Sequence, residues 1–322
     1  MRTYYLDSGA LFRLAQEPAL STRLIDLQRS RRFRIAIGYR TIWEAAGVLV
    51  HKPDESDRVM NEAQLVLDLL QAGGVLTKDG WKLSLEGLTI APSKRHPYRL
   101  SPVFPRGTPD YQRGVSQLRV MADGKAKEKT IEWYETVRRA FDPAEYAIEQ
   151  KRFEQLIRGD APREGADAQT LRENLNHYQR VGKMAEVADA TARRIAEVNN
   201  RRFASGWSVP PGVGPSWYGP FGFLLRCGMA YTMLHVCKHP DVGTRRATRG
   251  DFPDICHIVV AGMLGGFVTN DRLAKIAFWM TWPSRSRTCP HYEDEFIPML
   301  RSDCERHTNL GGFPSRPEGA GS

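Results

Sequence analysis

The first 75 residues switch repeatedly between two hydrophobic periods, and that alternation most constrains what the chain can fold into. Thr3 to Leu6 reads as a short strand ending in Asp7-Ser8-Gly9, and a helical pattern runs from Ala10 to Arg29 with a break at Pro18. Phe33, Ile35 and Ile37 alternate as a second strand closed by Gly38. Thr41 to Val50 is helical, and Asp57 to Leu70 is an amphipathic helix stopped by Gly73-Gly74. Strands separated by helices are joined by crossovers and lie parallel, so the order predicts a doubly wound α/β domain.

The pattern then changes. Val75 to Pro109 is mixed, with short strands expected around Trp81 to Leu85, and Tyr111 to Phe203 is charged and helical. Helices are expected over Lys125 to Ala140, Ala144 to Ile157 and Ala168 to Phe203. Residues 76–205 read as a mainly α-helical insertion, and 206–220 as a Gly/Pro/Trp loop. Regular patterning resumes over 221–300: a helix Phe223 to Lys238, a helix Phe252 to Leu264, a strand Gly266 to Thr269 and a helix Asp271 to Trp282. The α/β core is thus expected to be discontinuous, 1–75 with 221–300, followed by a disordered Gly/Pro/Ser-rich tail at 311–322.

Charge narrows the partners. With 46 Lys and Arg against 37 Asp and Glu the formal net charge is +9, which favours nucleic acid ahead of an anionic membrane surface. The opening MRTYYLDSGAL lacks a secretory signal, and the most apolar run, Phe221 to Val236, is short and interrupted by Arg226, so no membrane partner is expected. Five cysteines without disulfide-type spacing point to a reducing cytoplasm.

Four carboxylates fall at comparable positions. Asp7 ends the first strand, Glu44 follows the second, Asp254 opens the helix before the last strand and Asp271 follows that strand. The carboxyl ends of parallel strands line one crevice, where such residues converge although distant in sequence. Carboxylates crowded together repel unless cations bind, and Mg2+ and Mn2+ take hard oxygen ligands. Each acid also has a plainer role. Thr41-Ile42-Trp43-Glu44 matches a capping box, Asp251 suits an N-cap with Asp254 as a first-turn acid, and Asp271 can cap its own helix.

These residues resemble the PIN-domain nucleases: Tyr5-Leu6-Asp7-Ser8-Gly9-Ala10-Leu11, Ile42-Trp43-Glu44-Ala45, and GDFPDICHIVVAGMLGGFVTNDRLAKIA from Gly250 to Ala277. The resemblance implies a PIN-like three-layer α/β fold around a parallel sheet, and a Mg2+- or Mn2+-dependent ribonuclease. It implies metal-binding catalytic acids at Asp7, Glu44, Asp254 and Asp271, a fifth metal-binding acid at Asp251, and Ser8 and Thr269 orienting carboxylates. Many members are toxins paired with an antitoxin, which makes an antitoxin or other regulatory protein a candidate partner. The resemblance covers the first 75 residues and Phe221 to Trp282. The long helical stretch between them departs from small PIN toxins, and can serve as substrate clamp, inhibitor site or self-association surface.

His257 follows Asp254 by one helical turn and reads as a supporting or core histidine ahead of a ligand. Arg245, Arg246 and Arg249 are the leading phosphate-binding candidates among several basic clusters, and Trp207, Trp217 and Tyr218 are candidates for base stacking. Cys289, His291, Cys304 and His307 lack the spacing of a zinc finger, and Cys227, Cys237 and Cys256 read as core. No phosphate loop, dinucleotide fingerprint or serine-hydrolase elbow occurs. The leading expectation is a cytoplasmic metal-dependent nuclease acting on RNA ahead of DNA. The competitors are a structure-selective DNA nuclease, a non-catalytic PIN-like binding module, and a helical interaction protein whose acids only cap helices.

Overall fold

The computed structural model describes residues 1–89, 100–124, 127–140, 220–236, 251–282 and 287–302, with 169–170, 173–174, 176–177, 183 and 186–187. Strands β1 (Arg2–Leu6), β2 (Phe33–Gly38), β3 (Val75–Thr77) and β4 (Phe267–Val268) form one parallel sheet in the order β3-β2-β1-β4. Leu6 is level with Ile37 on one side and with Val268 on the other. The chain builds outward from β1 to β3 and then returns to the far side of β1. The order therefore reverses between β1 and β4, the place where an open parallel sheet opens a crevice at its carboxyl edge.

Alternation along the strands sends side chains to two separate clusters. Tyr4, Leu6, Ile35 and Ile37 join one with α1 (Ser8–Ala15), α2 (Pro18–Arg29), α3 (Tyr39–His51) and α4 (Ser56–Gln71). Tyr5, Ala36 and Phe267 join the other with α5 (Gly80–Thr89). Helix α6 (Pro109–Asp123), through Tyr111, Leu118 and Met121, and α7 (Lys127–Ala140), through Tyr134, complete the first cluster. Helices α8 (Pro220–Val236), α9 (Asp251–Leu264) and α10 (Arg272–Thr281) complete the second. Leu300 of the short α11 (Ile297–Arg301) belongs to the first. Apolar burial on both faces is why the strands lack the polar alternation of a half-exposed sheet.

Two expectations change. The stretch Trp81 to Leu85, expected as a strand, lies in α5. The Asp79 carboxylate accepts from the backbone N–H of Trp81 at 3.0 Å and of Lys82 at 3.1 Å, which caps a helix and leaves no extended chain. A Cβ at Gly80 would stand 2.2 Å from the carbonyl oxygen of Cys256, so the helix starts where only glycine fits against α9. Residues 76–140, expected to begin the insertion, supply β3 and three helices to the two core clusters. The expected helices at 144–157 and, nearly throughout, 168–203 lie outside the described residues, as do the 206–219 loop and the 311–322 tail. No helix among the described residues is long and apolar enough to cross a membrane.

Candidate active site

A helix that carries the chain back to begin a parallel strand runs antiparallel to it, so its N-terminus reaches the sheet's carboxyl edge. Helix α9 does this before β4. Asp254, in its first turn, therefore faces the residues that follow β1, β2 and β4. Asp7 follows β1 directly and its backbone N–H donates to the Val268 carbonyl at 3.2 Å. Asp271 follows β4 by three residues, and Glu44 sits in the second turn of α3 after β2. All four acids are half-buried.

They share one electrostatic environment. Burial raises the Asp254 carboxyl well above the ordinary aspartate value, and the charges of Asp271, Glu44, Asp7 and Asp251 raise it further. Burial also raises Asp7, against hydrogen bonds from Thr269 and the Ala10 N–H and the attraction of His257. Glu44 goes the other way. Burial favours its neutral form, but His257, Arg40 and Ser8 together outweigh it and hold the carboxyl below its usual range.

The neighbours explain this division. Ser8 donates its hydroxyl to Glu44 Oε2, and His257 Nε2 lies 3.2 Å from the same oxygen. The other imidazole nitrogen, Nδ1, is 2.6 Å from the Tyr5 hydroxyl. Thr269 hydrogen-bonds Asp7, and its Oγ1 accepts from the Asp271 N–H at 3.0 Å, so one hydroxyl ties the ends of β1 and β4 together. Arg40, at the start of α3, pairs with Asp79 in the interior. Asp251 is wholly buried, 3.3 Å from His235 Nε2.

The plainer roles divide. Asp7 does cap α1, accepting from Ala10 N–H at 2.6 Å, and Asp271 caps α10, accepting from Leu273 and Ala274 at 2.7 and 3.2 Å. Glu44 is no capping-box residue. Helix α3 begins at Tyr39, with Gly38 at the cap, so Thr41 is already inside it and Glu44 turns to Ser8 and His257. Among the described residues, no three His, Cys, Asp or Glu side chains are drawn together as a ready ligand set. Arg245, Arg246, Arg249, Trp207, Trp217, Tyr218, Cys237, Cys304 and His307 lie outside the described residues.

Tyr5, Tyr231 and His235 are contacts that the sequence reading missed. Tyr5 reads there as ordinary strand core, and Tyr231 and His235 as part of an apolar helix. The Tyr231 hydroxyl is fully buried and has no hydrogen-bond partner among the described residues. Burial raises its phenol, and the charges of Asp254, Cys227, Asp271 and Asp251 push the same way. An unsatisfied buried hydroxyl beside crowded carboxylates fits a site that takes a further polar occupant.

A small parallel α/β sheet with four half-buried acids at its carboxyl edge is the class that fold and site define. No protein-family model, curated protein or solved structure matches the chain.

Proposed function

We propose that the chain is a metal-dependent nuclease with a PIN-like fold, hydrolysing phosphodiester bonds, those of RNA ahead of DNA. The observation that carries this reading is the Asp254 carboxyl, raised by burial and by the charges of Asp271, Glu44 and Asp7, the four acids coming from four separate segments. Asp7, Asp254 and Asp271 would hold Mg2+ or Mn2+ with Glu44, and Asp251 would reinforce the negative field from behind. A bound divalent cation lowers the pKa of an attacking water and stabilises charge on the phosphate.

The chain's own residues supply the rest. Glu44, held ionised by its donors, can take a proton at a carboxylate oxygen. Asp254 keeps its proton to higher pH than an exposed aspartate, so cation uptake releases a proton there. Thr269 and Ser8 fix the Asp7 and Glu44 carboxylates. The net charge of +9 suits a polyanionic substrate held beside an acidic crevice. An antitoxin-like partner, self-association and a cytoplasmic setting accompany this reading as further proposals.

The test is cleavage of labelled RNA and DNA with Mg2+ or Mn2+, comparing the native chain with Asp7→Asn and Asp254→Asn. Activity confined to the native chain and abolished by chelation is expected; cleavage that survives both substitutions would sink the mechanism. The capping bonds of Asp7 and Asp271 favour one competitor, an interaction protein whose acids only cap helices. Such a protein would cleave neither substrate and would melt at the same temperature with and without divalent cation.

A further inference from the structure

Glu44 is the acid whose environment departs most from the other three, and the cause is a buried chain of side chains. Tyr5 and His257 are 1% and 3% exposed, so neither can exchange its partner for water. A carboxylate only accepts, so the hydrogen between His257 and Glu44 resides on Nε2. In the neutral imidazole Nδ1 is then the acceptor for the Tyr5 hydroxyl at 2.6 Å. Ser8 donates to the same Oε2. Two donors on one oxygen leave Oε1 as the oxygen from which Glu44 can serve an incoming group.

The backbone is shaped around this relay. A Cβ at Gly38 would stand 2.0 Å from the Tyr5 Oη, so the phenol passes through space that any other residue would fill. Tyr5 sits on β1, His257 on α9 and Glu44 on α3, so the relay ties the three elements that shape the crevice.

We propose that Tyr5 and His257 are positioning residues: Tyr5 fixes the Nε2–H tautomer of His257, and His257 holds the Glu44 carboxylate by Oε2 in the orientation in which it would help to hold a divalent cation. This rests on the reading of the crevice as a cation-dependent site. Partners of this kind commonly contribute severalfold or more to metal affinity without touching the ion.

Two measurements on the full-length chain separate the relay from the metal reading. In cation-free protein at pH 8, the imidazole nitrogen shifts of His257 should report the Nε2–H tautomer, with Tyr5→Phe disturbing it. An Nδ1–H tautomer overturns the relay whether or not metal binds. Calorimetric titration with Mn2+ should show affinity reduced roughly 10–100-fold in His257→Leu, partly restored in His257→Gln, and reduced less in Tyr5→Phe. Thermal melts without metal identify variants that fold. A folded His257→Leu protein that binds Mn2+ like the native chain overturns the positioning role. A native chain that takes up no Mn2+ overturns the metal reading and that role with it, while the tautomer still decides whether the relay exists.

Discussion

Arg40 and Asp79 form an ion pair whose side chains are only 4% and 1% exposed, linking the first turn of α3 to the residue that caps α5. The guanidinium also draws down the Glu44 carboxyl, so the pair connects the core to the crevice. Buried pairs contribute little over an apolar replacement, but one partner left alone is costly. Arg40→Met and Asp79→Leu should therefore each destabilise the protein by about 3–5 kcal/mol, and the two combined by much less than the single losses added. Urea unfolding of the three variants measures this, and simple additivity would contradict it.

Glu62, on α4, is 5% exposed and its carboxyl is raised to about 7 by burial, against the hydrogen bond and charge of Arg58. A raised carboxyl binds its proton more tightly in the folded than in the unfolded state. Its stabilisation is complete below the unfolded value near 4.5 and is lost as pH rises through about 7. Glu62→Gln should thus stabilise the protein at pH 8 by on the order of 2–3 kcal/mol and change little at pH 4. Melting curves across that range check it, and a stabilisation independent of pH would contradict the assignment.

Asp254 follows the same sign with a different cause, since other carboxylates add to its burial. Cation-free protein should lose stability as pH rises above the ordinary aspartate range. Asp254→Asn should melt several degrees higher than the native chain at pH 8, while losing the extra melting temperature that Mn2+ gives the native chain. Scanning calorimetry with and without Mn2+ reads both effects. A variant that melts lower without metal would show that the acids do not strain one another.

What the sequence made legible follows from which forces act locally. Phe33, Ile35 and Ile37 announce β2 because a strand's side-chain period is fixed, and Pro18 marks the α1–α2 break because proline removes a donor. The span Trp81-Lys82-Leu83-Ser84-Leu85 alternates like a strand, yet its state is decided by the Asp79 cap and by the close approach of Cys256, both invisible to periodicity. The four acids were legible through their places at strand and helix ends. Their partners were less so: Tyr5 touches His257 across 252 positions, and the packing of α9 on β1 brings them together. The competing capping-box role of Glu44 arises because the sequence pattern starts α3 at Thr41, two residues late.

Tyr231 tests whether the crevice is built for an occupant or is merely an imperfection of packing. Its buried hydroxyl has no partner among the described residues, and leaving such a group unsatisfied costs about 1–3 kcal/mol. Tyr231→Phe should therefore leave cation-free stability unchanged or raise it by about 1 kcal/mol, since only the unsatisfied group is removed.

Gly38 and Tyr5 give the sharpest test of the crevice's construction. The Cβ of Gly38→Ala would meet Tyr5 Oη at 2.0 Å and Cζ at 2.9 Å, so the ring must move, and His257 loses its hydrogen-bond partner as it does. Overpacking of this kind costs about 1–3 kcal/mol. Tyr5→Phe removes the nearer atom, so the double variant Gly38→Ala/Tyr5→Phe should recover part of that loss and leave the remainder imposed by Cζ. A cycle of the four proteins by urea unfolding gives the coupling directly. A Gly38→Ala cost that is the same with Phe at position 5 as with Tyr would mean that the glycine serves the backbone at the start of α3 and not the phenol.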